Sequence, residues 1–115
     1  MTSNDRRVYD ELSSSGIPGC RMAWGPHPPE CPRFTYTDAS ISHYADNTVC
    51  SLMPHYHVDL YLTEWDEDLV CEFRKHVARL GTYSTTEDWD RESKCIVVGF
   101  DFFLLRHVEL MEDER

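Results

Sequence analysis

The segment PHYHVDLYLTEW, residues 54–65, places His55, His57 and Asp59 at alternate positions. A His-x-His-x-Asp run opens several hydrolytic metal sites, in which imidazole and carboxylate ligands hold a zinc ion that activates water. In extended backbone, alternate residues point the same way. His55, His57, Asp59 and Tyr61 then share one face, and Tyr56, Val58, Leu60 and Leu62 share the other. The two histidines can supply two of at least three ligands, and Asp59 joins them only through a twist. The metallo-β-lactamase type of motif also needs a second histidine directly after the aspartate, where this chain has Leu60. That fold also needs a longer chain. The competing reading is a strand whose apolar side feeds the core and whose polar side is exposed or meets a neighbour. The incomplete ligand set favours the strand, with no metal and no cofactor. A small metal-dependent hydrolase using His55, His57 and Asp59 is the lesser alternative.

Other chemistry-bearing residues form weaker patterns. Cys50, Cys71 or Cys95 could act as a nucleophile with His76, but no local signature marks one of them, and buried structural thiols are the commoner case. Cys71 and His76 are five apart on a predicted helix and share a face poorly. The pairs Glu64/Asp66 and Asp88/Asp90 match a general acid and base only in residue type, since acidic residues bordering elements usually cap or solvate them. Glycines are too scattered for a phosphate loop. Tyr36, Tyr56 and Trp89 could stack bases, yet no basic groove accompanies them. Nothing in these residues demands an enzyme, and the expected set of catalytic residues is empty.

The composition bounds the remaining classes. The chain has 115 residues, 41% hydrophobic and 12% aromatic, so one domain is expected, able to bury roughly two-thirds of its unfolded surface. A net charge of −10 argues against a duplex-DNA binder working by phosphate neutralisation, which needs Lys and Arg. No apolar run approaches the roughly 18 residues of a membrane helix, and MTSNDRRVYDELSSSG lacks a signal-peptide core, so synthesis in the cytosol is expected. Cysteines 20, 31, 50, 71 and 95 are odd in number, with no CxxC pair. They read as reduced thiols, several of them buried, rather than a disulfide frame.

The elements that would position these residues follow from periodicity. Residues 5–15 predict a short helix with Val8 and Leu12 on one face, ended by Gly16. IPGCRMAWG predicts a strand with Cys20, Met22 and Trp24 on one side, and the proline-rich PHPPECP is irregular. RFTYT is a half-buried strand through Phe34 and Tyr36. DASISHYADNTV is a loop or flexible hairpin tip turning at Asp46 and Asn47. The longest extended candidate runs from Val49 to Thr63, and Pro54 predicts that it lies at a sheet edge or bends there. Residues 66–81 predict a helix with Leu69, Phe73, Val77 and Leu80 in one stripe, Val70 and His76 beside it, and Gly81 just past the end. TYSTT and SKCIVVGFDFFLL predict two strands joined by a loop EDWDRE, with residues 105–115 a charged tail. The fold class is α+β, a mostly antiparallel sheet with two helices packed on one face.

DNTV, YHVDLYLTEWDED and TYSTTEDWDRESKCIVVGFDF, in that order, resemble a family of small tail proteins of long-tailed phages and prophages, the tail terminators, also called tail completion or tail-to-head joining proteins. The resemblance runs over residues 8–104 and rests on Asp46 and Asn47, on Val58, Leu60, Tyr61 and Thr63, and on Tyr83, Trp89, Glu92, Ser93, Val98 and Phe100. Each motif is weak alone; order and spacing carry the likeness. The His pair, the five cysteines and Pro54 depart from the pattern. The resemblance implies a structural virion protein, made in the bacterial cytoplasm, that caps the tail tube and joins tail to head. It implies a homo-oligomeric ring, commonly a hexamer, that meets the major tail-tube protein and a head-completion or neck protein. DNA passes through the lumen without specific binding. Another neck protein is the nearest alternative. The residues expected at interfaces are Asp46, Asn47, His55, His57, Asp59, Trp89, Glu92 and Arg106, in the 38–48 loop, the polar strand face, the EDWDRE segment and the tail.

Overall fold

The computed structural model describes residues 2–39, 43–45, 48–51 and 54–105, and for residues 43–45 and 48–51 it describes the backbone alone. Helix α1 (Ser3–Ser13) leads into strand β1 (Gly19–Arg21), β2 (Arg33–Asp38), β3 (His43–Ala45), β4 (Thr48–Ser51) and β5 (His55–Leu62). Helix α2 (Glu67–Leu80), β6 (Tyr83–Asp90) and β7 (Cys95–Phe103) complete the order. Five strands form one sheet in the order β1-β2-β5-β7-β6, parallel between β1 and β2 and antiparallel elsewhere, and β3 pairs with β4 separately. This is the expected α+β architecture.

The helices form where their caps allow. Thr2 accepts from the Asp5 N–H at 3.0 Å, which starts α1 two residues earlier than the periodicity predicts. Gly16, at φ +89°, turns the chain away from the helix as expected. Asp66 accepts from Leu69 N–H at 3.1 Å and opens α2, whose Val70, Phe73, Val77 and Leu80 are buried. Gly81 does follow α2, but its φ is 169°, which any residue adopts. Space is what demands glycine there, because a Cβ would lie 2.0 Å from the carbonyl oxygen of Phe103.

Both helices cover the same side of the sheet. Val8 and Leu12 of α1 and the α2 stripe meet Phe34 and Tyr36 of β2, Tyr56, Val58, Leu60 and Leu62 of β5, and Val98, Phe100 and Phe102 of β7. Phe73 sits between Phe34 and Phe100, at ring-centroid distances of 5.6 and 5.7 Å. Full burial of each such ring contributes about 1.5–3 kcal/mol. One charge enters this core: Asp5, 3% exposed, accepts from the Tyr56 hydroxyl and pairs with Arg21 Nε at 3.3 Å. Burial and that carboxylate push the Tyr56 phenol well above its ordinary range.

Several expectations need correction. The first strand spans only Gly19–Arg21, because Met22 takes φ +68° and turns the chain out. The proline-rich residues 22–32 then serve as the crossover that parallel pairing of β1 with β2 requires. Of the two readings of residues 38–49, loop or hairpin tip, the backbone agrees with the hairpin, since β3 and β4 pair antiparallel with Ala45 against Thr48; the expected turn residues Asp46 and Asn47 lie outside the described residues. The single strand expected from Val49 to Thr63 divides into β4 and β5, which belong to different sheets, so of the two outcomes expected at Pro54 the edge position fails: β5 is central. Pro54 falls just before its first residue, so the missing N–H interrupts no ladder, and the Pro54 carbonyl accepts from Leu104 N–H at 2.8 Å. EDWD is strand rather than loop: β6 stays paired with β7 as far as Asp90 opposite Cys95, and residues 91–94 make the turn. An edge strand tolerates such polar residues because solvent reaches it. Among the described cysteines only Cys95 is buried, fewer than expected.

Candidate functional site

The two helices pack on one face of the sheet, and the His-x-His-x-Asp run of β5 projects from the other. Register sets what meets it. His57 lies opposite Asp101 of β7, Asp59 opposite Gly99, and Tyr61 opposite Val97, while Thr37, Thr35 and Arg33 of β2 flank the other side. His57 Nε2 donates to Asp59 Oδ1 at 2.7 Å and Nδ1 donates to Asp101 Oδ1 at 2.9 Å. His55 Nε2 stands 3.6 Å from the same Asp101 oxygen, and its ring stacks on Phe103 with centroids 4.8 Å apart. Arg33 lies over the Tyr61 ring at 5.1 Å.

Two carboxylates against one ring favour the doubly protonated imidazole. The hydrogen bond to Asp59 is the largest cause, burial opposes it, and the bond to Asp101 adds to it, so the His57 pKa is raised from 6.5 to about 9. Gly99 lies beneath the cluster. A Cβ there would lie 3.4 Å from both Asp59 Oδ1 and His57 Cε1, and 2.8 Å from Thr86 Oγ1. The side chains of His57, Asp59 and Asp101 remain 37%, 28% and 40% exposed, so the cluster is open to solvent rather than enclosed.

This geometry limits the chemistry. An imidazolium with both N–H groups donating has no lone pair for a metal and none to accept a proton near neutral pH. Among the described residues no group of three or more His, Cys, Asp or Glu is arranged to hold a metal ion. What the arrangement can do is fix a cation between two anions on an open sheet face, a surface suited to polar contact.

The other sequence candidates are dispersed. Trp89, 54% exposed, sits on β6 opposite Ile96, and Glu92 is exposed in the following turn. Arg106, like Asp46 and Asn47, lies outside the described residues. Cys71 is exposed and contacts Glu67, whereas His76 Nδ1 meets Glu11 Oε2 at 2.7 Å, so the two do not pair. Asp66 caps α2, and Asp90 accepts from Glu92 N–H and the Ser93 hydroxyl, which holds its carboxyl below the usual range. The residue that sequence reading missed is Asp101. Its only signal was a carboxylate among Phe100, Phe102 and Phe103 in an otherwise apolar strand.

The chain matches no family model, and no curated protein is similar to it. Among the described residues no helix is long and apolar enough to cross a membrane.

Proposed function

We propose that this chain is a non-enzymatic assembly subunit of the tail-terminator kind, forming a ring that ends tail-tube growth and joins tail to head. The observation that carries the reading is the edge position of β6, which pairs with β7 alone among the described residues. It is an eight-residue edge strand, YSTTEDWD, without proline or lysine, and it presents Trp89 to solvent. Its carboxylates Glu87, Asp88 and Asp90 limit indiscriminate pairing at such an edge, and a subunit of a closed head-to-tail ring needs an edge that its own neighbour can meet. The open polar face with His55, His57, Asp59 and Asp101 gives a second surface for neighbouring copies. A net charge of −10 suits a channel that passes DNA without gripping it. The subunit would be made in the bacterial cytoplasm and end in the virion tail.

The test is co-expression with a major tail-tube protein, followed by co-purification and negative-stain electron microscopy. A ring capping tube ends is expected; absence of any association with the tube counts against the reading. A neck protein of the head-completion type shares the same features, and binding to heads but not tubes would select it. The hydrolase alternative requires an ion to displace two charge-assisted hydrogen bonds of His57. Stoichiometric zinc in chelator-free protein would revive it.

A further inference from the structure

Three strand ends meet at one end of the sheet, where β2 begins at Arg33, β5 finishes at Leu62 and β7 begins at Cys95. There the Sγ atoms of Cys31 and Cys95 lie 3.2 Å apart, although the residues are 64 apart in sequence. The two thiols are unequal. Cys31 is half-buried at the end of the proline-rich connection and lines an open groove with Pro32, Thr63, Glu64 and Trp65. Cys95 is buried behind it. Arg33 Nη1 stands 3.5 Å from the Cys31 sulfur. Burial and the neighbouring thiol nevertheless push the Cys31 thiol above its ordinary range, so the reduced pair is not an activated nucleophile at rest. An accessible thiol with a second thiol in reach, on segments brought together only by the fold, is the arrangement from which exchange closes a disulfide.

We propose that Cys31 and Cys95 are a redox dithiol that small disulfides, cationic ones foremost, convert by thiol–disulfide exchange into an intramolecular bond clamping the 22–32 connection to the first residue of β7. In the first step the Cys31 thiolate attacks one sulfur of a disulfide RSSR. A Cys31–SR bond forms, the S–S bond of RSSR breaks, and RS⁻ leaves. In the second step the Cys95 thiolate attacks the Cys31 sulfur, the Cys31–Cys95 bond forms, and the second RS⁻ leaves. The two protons lost by the protein thiols end on two RSH; the protein gives up two electrons and RSSR takes them. The sulfurs must close from 3.2 Å to a bond length of about 2.05 Å. Cys31 precedes β2 and belongs to no ladder, so the displacement falls on its irregular segment. The preference for a cationic reagent follows from Glu64, Asp66, Glu67 and Asp68, which line the same groove. This inference does not depend on the assembly role.

The experiment uses the full chain, reduced and then freed of reductant. It is incubated with cystamine or with oxidised glutathione, acid-quenched and peptide-mapped by mass spectrometry. In wild type the Cys31 and Cys95 peptides are expected to be recovered linked, about 2 Da lighter than the two reduced peptides together, in a form that dithiothreitol reverses, whatever mixed disulfides form at the other cysteines. At low salt cystamine should react at least about tenfold faster than oxidised glutathione, after normalising to a small reference thiol, with the gap narrowing as salt is added. Cys95→Ser should stop at a mixed disulfide on Cys31, and Cys71→Ser should behave as wild type. Should Cys95→Ser fail to fold, the wild-type map together with Cys31→Ser, which must show no closure, still decides between a closed pair and two independent thiols. Unreacted Cys31 and Cys95 in the folded protein, a mixed disulfide that never resolves, or a bond to another cysteine would overturn the proposal. Equal reactivity toward the two reagents would overturn the acidic groove as the route.

Discussion

His57→Gln should destabilise the protein by an amount that depends on pH in one direction only. The wild-type ring is held by Asp59 at 2.7 Å and Asp101 at 2.9 Å, and its pKa is raised from 6.5 to about 9. Fully expressed, that rise corresponds to about 3.4 kcal/mol of preferential binding of the proton by the folded state. The three side chains are 28–40% exposed, so solvent screening reduces the expected contribution to about 1–2 kcal/mol. Because the folded pKa is the higher one, the stabilisation is fully present below about pH 6.5 and is lost as pH rises through about 9. Urea unfolding followed by tryptophan fluorescence, at about pH 6, 7.5 and 9.5, should show the gap between wild type and His57→Gln widest at the lowest pH and nearly closed at the highest. A gap of constant size across that range would mean that His57 contributes packing alone. An NMR titration of its Cε1 proton with a midpoint near the unperturbed 6.5 would refute the charge-sandwich reasoning directly.

The causes of the His57 shift are ranked, so Asp59→Asn should lower its titration midpoint more than Asp101→Asn, measured by the same NMR titration. Gly81→Ala should cost more than about 3 kcal/mol in chemical denaturation, since the added methyl would sit 2.0 Å from the Phe103 carbonyl oxygen and only backbone can give way. Tyr56→Phe leaves buried Asp5 one donor short. It should cost about 1–3 kcal/mol at neutral pH, read as a lower urea midpoint with an unchanged slope.

Period-two alternation separated the faces of β5 correctly: Tyr56, Val58, Leu60 and Leu62 are buried, and His55, His57 and Asp59 lie on the side opposite the helices. Phe73, Val77 and Leu80 of the α2 stripe were equally plain, being a local property of fourteen residues, although Val70 is buried where Leu69 was expected and Leu69 is only partly covered. Boundaries failed where a partner strand overruled local chemistry. The residues of EDWD look like loop, yet β7 offers them a continuous ladder to Cys95. Of the two outcomes expected from Pro54, the edge position failed because its premise concerns a proline within the ladder, whereas Pro54 stands one residue outside β5, where the chain passes between two sheets.

The two most consequential contacts were illegible for a different reason. Asp101 reaches His57 only through the β5–β7 register that sets residue 57 against residue 101, and Cys31 reaches Cys95 only because β5 lies between β2 and β7. Neither register nor strand order is written in a local pattern; both are chosen by the packing of Tyr56, Val58 and Leu60 against Phe102, Phe100 and Val98 on the buried face. A slip of one residue between β5 and β7 would turn these apolar pairs out of the core and part His57 from Asp101 together. The polar cluster on the open face is therefore positioned by the hydrophobic one beneath it, and its titration should report on that register as faithfully as any core probe.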